Sequence, residues 1–130
     1  MPLECVDALR EPDCRVLEGR GDEVAWEEHD FWKETWFQGR AQDEGPEGGE
    51  TCEDVRRRLA EFIKDLISRF GETAAEYVLV THGALILNGL LGNLAGVNHQ
   101  SIREHGLGYT TLITTESQDD RLICIAWDSM

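Results

Sequence analysis

An uninterrupted apolar run that ends in a histidine and a glycine constrains the fold of this chain most. Residues 77–80 are Tyr-Val-Leu-Val, and Thr81, His82 and Gly83 follow directly. Four β-prone residues in a row predict a strand buried on both faces, as in parallel sheets. The Leu- and Ala-rich segment 84–94 predicts a buried helix. His82 is therefore predicted at the carboxyl end of a central strand, where ligands bind and helix N–H groups attract anions. The alternative is that His82 only ends the strand and donates one structural hydrogen bond.

The segments near the two ends of the chain predict a helix and a hairpin. Residues 22–38 are predicted to be helical, with Trp32 and Trp36 on one face. We interpret these rings as core packing, although they could also cover a site. Residues 109–115 and 122–127 are rich in Thr, Ile and aromatic residues and are separated by a polar stretch. This pattern predicts a terminal β-hairpin.

The segment between residues 51 and 71 gives the clearest helix prediction. Apolar residues from Val55 to Phe70 recur at the helical spacing. Thr51 and Asp54 resemble a capping box at its start, and Gly71 is placed to close it. The three arginines 56–58 lie mostly off the apolar stripe, so we expect them to be exposed to solvent.

Length and cysteine usage bound the class of protein. At 130 residues the chain fits a single domain, 1–130, with one core. It has no apolar run of about 18 residues and no visible signal peptide. The four cysteines form no C-x-x-C pair, so we expect reduced thiols and a cytoplasmic protein. His99 and His105 have no second ligand pair at zinc-like spacing, so neither a metal nor another cofactor is expected.

The charge of the chain limits its partners. A net charge of −14 argues against nucleic acid and against an anionic membrane as partners. It also weighs against a phosphate site, because such sites usually supply two or more Arg or Lys side chains. Much of the acidity lies between Glu18 and Glu53, so the charge is concentrated in one part of the chain.

Several short motifs occur in an order that resembles a known family. They are Leu9-Arg10-Glu11, then Glu18-Gly19, then Gly48-Gly49-Glu50-Thr51 before a helix that contains Arg58, and finally Val78-Leu79-Val80-Thr81-His82-Gly83. Together they resemble the histidine phosphatase family, the phosphoglycerate-mutase-like α/β proteins, and in particular its fructose-2,6-bisphosphatase-like and broad phosphomonoesterase members. The resemblance extends from about Leu9 to the C-terminus. It implies an α/β three-layer sandwich with a mostly parallel sheet, incomplete here, and a C-terminal hairpin.

The resemblance also implies roles for individual residues. Glu11 would be the general acid that protonates the leaving oxygen, and His82 would contact the transferring phosphoryl group. The Gly83 N–H would touch the phosphate. Arg10 is the arginine considered for phosphate binding, although it is a poor substitute for the arginines of the family. These roles agree with the chemistry, because phosphoryl transfer needs charge stabilisation and a proton for the leaving group. The substrate implied is a phosphorylated small molecule or a phosphoprotein.

One departure from the family has consequences for activity. The family begins with a strand that ends in Arg-His-Gly, whose histidine is the phosphorylated nucleophile, and this sequence contains no Arg-His-Gly. The chain therefore resembles the C-terminal portion of a phosphatase or mutase. Because a covalent route needs a nucleophile, we expect this chain alone to be inactive.

Two other interpretations remain open. The first is a pseudophosphatase that serves as an interaction or regulatory module, and the second is an unrelated α/β binding domain. In the family the first strand lies beside the His82 strand, so its absence would leave a bare sheet edge. Since a bare edge pairs readily with other chains, we expect a homodimer or a partner chain at that edge.

Overall fold

The computed structural model describes residues 2–90 and 92–128. Within these ranges the chain is an α/β protein, as predicted. Its helices are α1 (Glu23–Phe37), α2 (Cys52–Phe70), α3 (Gly83–Gly89) and α4 (His99–His105). Its strands are β1 (Leu94–Ala95), β2 (Leu112–Gln118) and β3 (Arg121–Asp128), and two 3₁₀ turns, Asp7–Leu9 and Arg15–Leu17, precede α1. None of the described helices is long and apolar enough to cross a membrane.

Helix α2 confirms the clearest prediction, and its cap explains where it starts. The Thr51 side chain accepts a hydrogen bond from the Asp54 N–H at 3.1 Å, and the Asp54 carboxylate accepts one from the Thr51 N–H at 2.9 Å. This capping box satisfies two N–H groups that have no partner inside the helix. At the other end, the Gly71 N–H donates to the Ile67 carbonyl at 2.7 Å.

The core lies mainly between α2 and α3. Val55 and Leu59 of α2 and Leu85 of α3 are each at most 4% exposed. Full burial of such a side chain contributes about 1.5–3 kcal/mol. A Cβ on Gly89 would come within 2.7 Å of the Leu59 side chain, so the glycine permits the close approach of the two helices. Packing of an apolar face therefore fixes α3 against α2.

The described sheet is mixed, with β3 in its centre. Strand β2 pairs antiparallel with β3 along its whole length, and the short β1 pairs parallel with β3. Asp119 and Asp120 connect β2 and β3 with positive φ angles of 49° and 60°. A two-residue turn with both φ angles positive matches the twist of a hairpin. The predicted C-terminal hairpin is confirmed, whereas the three-layer sandwich and the mostly parallel sheet are not.

The prediction of a buried strand at residues 77–80 is wrong. The structure has no strand there, and every residue from 72 to 80 is exposed, with Val78 at 74% and Val80 at 82%. A strand needs a hydrogen-bonded neighbour, which local sequence does not reveal. The predicted helix at 84–94 is also too long: α3 ends at Gly89, Leu94 lies in β1, and residue 91 falls outside the described residues.

A cluster of polar contacts around the Glu50 carboxylate holds the segment before α1 against α2. Arg58 donates two hydrogen bonds to this carboxylate, at 2.8 and 3.1 Å, and a third to the Ala8 carbonyl at 2.6 Å. The Asp13 N–H donates to Glu50 at 2.9 Å. We call Glu50, Arg58, Ala8 and Asp13 the Glu50 cluster. Because it joins residues 8–13 to the start of α2, it sets the position of Glu11.

The expectation that the three α2 arginines are exposed holds only for Arg57. The Arg58 and Glu50 side chains are each only 14% exposed. Arg56 is half-buried, and its Nε donates to the Asn88 carbonyl in α3 at 2.9 Å. Helical spacing identifies the apolar face of α2 but not the partners of its polar face, which explains the error.

We expect Arg58→Met to lower the free energy of unfolding by about 3 kcal/mol, because it leaves a largely buried carboxylate without its main partner. Urea-induced unfolding measures the loss. Arg57→Met is the matched control: its guanidinium pairs with Asp54 at 3.0 Å but is 63% exposed, so its loss costs less than about 1 kcal/mol. Equal losses for the two variants would contradict the structural role of the Glu50 cluster.

The cap of α1 predicts a pH-dependent contribution to stability. Two hydrogen bonds from the Arg20 guanidinium and one from the Ala25 N–H lower the pKa of Asp22 to about 2, from 3.8. Because the folded pKa lies below the unfolded value, this stabilisation is present above about pH 4 and is lost as the pH falls through 2. Asn is an equally good cap, so Asp22→Asn removes only the charge.

We therefore expect the difference in unfolding free energy between the wild type and Asp22→Asn to shrink as the pH falls from about 4 to about 2. Denaturant unfolding over this pH range measures it. In an Arg20→Gln background the same comparison should depend less on pH. A difference that stays constant over the range would show that the charge of Asp22 contributes nothing.

Candidate active site

One hydrogen bond joins the two segments that carry the predicted catalytic residues. The Thr81 hydroxyl donates to the Leu9 carbonyl at 2.7 Å, across 72 residues of sequence. Glu11 lies two residues after Leu9, and His82 directly follows Thr81. The same bond, together with the Glu50 cluster, brings the start of the chain to the N-terminal end of α3.

A cleft of about 830 Å³ opens at this junction. Glu11, Thr81 and Gly83 line it, together with residues of α1, α3 and the loop before β2. Its volume lies in the range of small-molecule sites. The structure thus brings Glu11 and Gly83, two of the predicted site residues, to one cleft.

His82 lies beside the cleft, with both of its chain neighbours lining it. Its backbone is extended (φ −118°, ψ 154°), it immediately precedes α3, and its side chain makes no cap hydrogen bond to that helix. The residue is exposed and is not among those described as lining the cleft. An exposed imidazole next to the cleft is accessible to an anion from solvent.

The Arg10 guanidinium lies near two acidic side chains, and Arg10 is not among the described residues that line the cleft. Its guanidinium lies 3.7 Å from an Asp7 oxygen and 3.6 Å from a Glu50 oxygen, and its side chain is 42% exposed. At these distances the pairs are ionic contacts and not short hydrogen bonds. The structure therefore does not bring this predicted phosphate ligand together with Glu11 and Gly83.

Helix α3 is held in place by buried polar contacts as well as by apolar packing. The Asn88 side chain is 7% exposed, donates to the Ala84 carbonyl at 2.9 Å, and lies at the cleft. Asn93 donates to the Arg56 carbonyl at 3.0 Å and to the Gly89 carbonyl at 2.8 Å. Since buried amides are costly to leave unpaired, these bonds fix the orientation of α3 behind the cleft.

The side of the cleft formed by α1 is aromatic, so the tryptophans are not confined to core packing, which was the preferred interpretation. Trp36 is a core residue that also lines the cleft. It is 5% exposed, and its indole N–H donates to the Glu44 carbonyl at 3.0 Å. Trp32 lies 6.1 Å from Trp36 between ring centroids and also lines the cleft. Its buried indole N–H has no hydrogen-bond partner among the described residues. Aromatic residues at helical spacing gave no means of separating these two functions.

The loop before β2 also contributes to the cleft. Tyr109 is 98% exposed, and Thr110 has a φ angle of 64°. Both residues line the cleft. A β-branched residue in the left-handed region is strained by about 1–3 kcal/mol, and such strain often occurs at functional sites.

The titratable groups at the cleft limit the chemistry it can perform. Burial raises the pKa of the Cys14 thiol, so this cleft residue is a neutral thiol near pH 7 and a poor nucleophile. Within residues 2–90 and 92–128, no group of three His, Cys, Asp or Glu side chains is arranged to hold a metal ion. The other ionisable side chains that line the cleft are Glu11, Glu34, His29, Lys33 and Tyr109, and His82 lies beside it.

One of three comparisons with known proteins matches this chain. The family model described as the histidine phosphatase superfamily (branch 1) matches residues 1–129. Searches of curated proteins and of solved structures gave no match. Since the family model covers nearly the whole chain, this chain belongs to the histidine phosphatase superfamily, branch 1.

Proposed function

We propose that residues 1–130 form one phosphomonoester hydrolase or mutase domain, with a phosphoryl site centred on His82 and Glu11. The observation that carries this proposal is the 2.7 Å hydrogen bond between Thr81 and Leu9, which joins the segments of both residues at one cleft. Membership of the superfamily supports the class of reaction.

In this proposal each group has a separate role. Protonated His82 and the Gly83 N–H stabilise the negative charge on the phosphoryl oxygens. Glu11, in its acid form, gives a proton to the leaving oxygen. Arg10 would have to leave Asp7 and Glu50 to reach the phosphate, so we assign it a secondary part in binding.

The chain by itself is proposed to be catalytically inactive. It contains no Arg-His-Gly sequence, and burial raises the pKa of the Cys14 thiol. The covalent route would then lack a side chain to accept the phosphoryl group. Turnover by that route would require a nucleophile from a further polypeptide segment.

A second function, a pseudophosphatase that acts as an interaction module, is favoured by one observation. Residues 77–80 expose four consecutive large apolar side chains, between 43% and 82% exposed. We propose that a strand of a second copy or of a partner chain pairs with this segment and extends the sheet towards the mostly parallel three-layer form of the family.

The four free cysteines favour a cytoplasmic location.

The phosphoryl site is tested by binding, because the chain alone is not expected to turn over. We expect phosphate or vanadate to cause a saturable NMR shift of the His82 imidazole. In Glu11→Gln the shift should weaken or change its pH dependence, since the variant removes a carboxyl group from the same proposed site. No shift at millimolar anion would reject the phosphoryl site.

Two controls accompany this measurement. The imidazoles of His99 and His105 are not among the described lining residues of the cleft, so they report non-specific anion effects in the same spectra. Activity towards a generic phosphomonoester should be negligible for the wild type. Robust turnover that His82→Ala abolishes would contradict the proposed inactivity.

We expect the wild type to self-associate at high concentration through residues 77–80, because pairing would cover exposed apolar side chains. Sedimentation velocity measures this. Val80→Lys should shift the equilibrium to monomer, since Val80 is 82% exposed and lies within the segment. Val24→Lys is the matched control, at 65% exposure on α1. A wild type that stays strictly monomeric would count against the pairing.

A further inference from the structure

Part of the lining of the cleft is apolar. Trp32, Trp36 and Phe37 of α1 line the cleft together with Ile86 and Leu87 of α3. Aromatic and aliphatic side chains bind planar apolar groups well. The cleft therefore favours a ligand with an apolar part.

The charges at the cleft disfavour a ligand with more than one phosphate. Among the residues described as lining it, Lys33 is the one lysine or arginine, and Glu11 and Glu34 are two carboxylates. A second phosphate would need further cations, because a phosphate is usually held by two or more Arg or Lys side chains. Arg58 is not available for it, since Glu50 accepts two hydrogen bonds from its guanidinium. A bisphosphate is disfavoured by this balance.

Three aromatic residues at the cleft are placed to contact a flat group. Trp32 and Trp36 are tilted by 40° to each other, and Tyr109, which also lines the cleft, is 98% exposed. Rings in this situation can add edge-to-face or offset contacts with a bound ring. The exposure of Tyr109 also means that it has no packing to lose when a ligand binds.

We infer that the cleft selects phosphomonoesters whose alcohol part is a single aryl group, with the phosphate at His82 and Gly83 and the ring between α1 and Tyr109. This inference rests on the proposed function for its phosphate part. Its aryl part rests on Trp32, Trp36 and Tyr109 and on the scarcity of cations.

The test compares three ligands of similar charge on the intact chain. Inorganic phosphate, glycerol phosphate and phenyl phosphate are titrated while the His82 imidazole and the Trp32 indole N–H are followed by NMR. We expect phenyl phosphate to bind about tenfold more tightly than glycerol phosphate, which corresponds to the burial of one ring. We expect the Trp32 signal to shift with phenyl phosphate only.

Two variants on the same helix localise the effect. Trp32→Leu should remove most of the preference for phenyl phosphate and leave the affinity for inorganic phosphate unchanged. It also removes a buried N–H without a partner, so no loss of folding is expected from that group. Trp26→Leu is the matched control, because Trp26 is 58% exposed and is not among the described lining residues. Should Trp32→Leu not fold, Trp32→Phe keeps a ring and should retain part of the preference.

The outcomes separate this inference from the proposed function. Equal affinity for phenyl and glycerol phosphate, or a preference that survives Trp32→Leu, overturns the aryl selectivity and leaves the phosphate site intact. If no phosphate ligand shifts His82, the proposed function fails instead. In that case 2-naphthol, which is neutral, decides the aryl part: a saturable shift of Trp32 supports the apolar site, and no shift overturns it.

Discussion

The arrangement of this site depends on the bidentate ion pair between Arg58 and Glu50. The segment before α1 forms only short 3₁₀ turns, so its own backbone hydrogen bonds cannot fix its position. The pair connects this segment to α2, and the Arg58 and Glu50 side chains are each only 14% exposed. At such a largely buried position a charge–charge hydrogen bond is strong and an unpaired charge is costly. The position of Glu11 at the cleft therefore depends on Arg58 of α2 and not on the neighbours of Glu11 in sequence.

Backbone geometry at two glycines makes this connection possible. Glu50 and Asp13 also exchange a main-chain hydrogen bond, from the Glu50 N–H to the Asp13 carbonyl at 2.8 Å. A side chain on Gly49 would collide with that same carbonyl, and Gly48 has a φ angle of 73° that L side chains rarely adopt. The glycine pair before the helix thus serves the close contact of two chain segments, which is a structural reason for glycine at both positions.

Local signals predicted much of the fold, and long-range contacts account for the rest. The α2 cap, helix α1 and the hairpin were predictable because each depends on residues a few positions apart. The burial of Arg58 and the loss of the 77–80 strand were not, because both depend on partners distant in sequence. At the cleft, the motifs led to Glu11 and Gly83 as lining residues, whereas the position of Trp32 there could not be separated from core packing, since its spacing fits a core residue equally well.

The exposed segment 77–80 and the proposed phosphoryl site are adjacent in this chain and physically connected. His82 immediately follows Thr81, whose side chain is bonded to Leu9, but residues 77–80 on its other side have no hydrogen-bonded strand beside them. A strand that paired with this segment would bury apolar side chains and would at the same time restrict the backbone that carries the imidazole. Partner binding and anion binding would then favour the same ordered arrangement, so each should strengthen the other. An interaction module and a phosphatase domain are therefore not exclusive functions for this chain, because a single strand could supply both the contact and the order that catalysis requires.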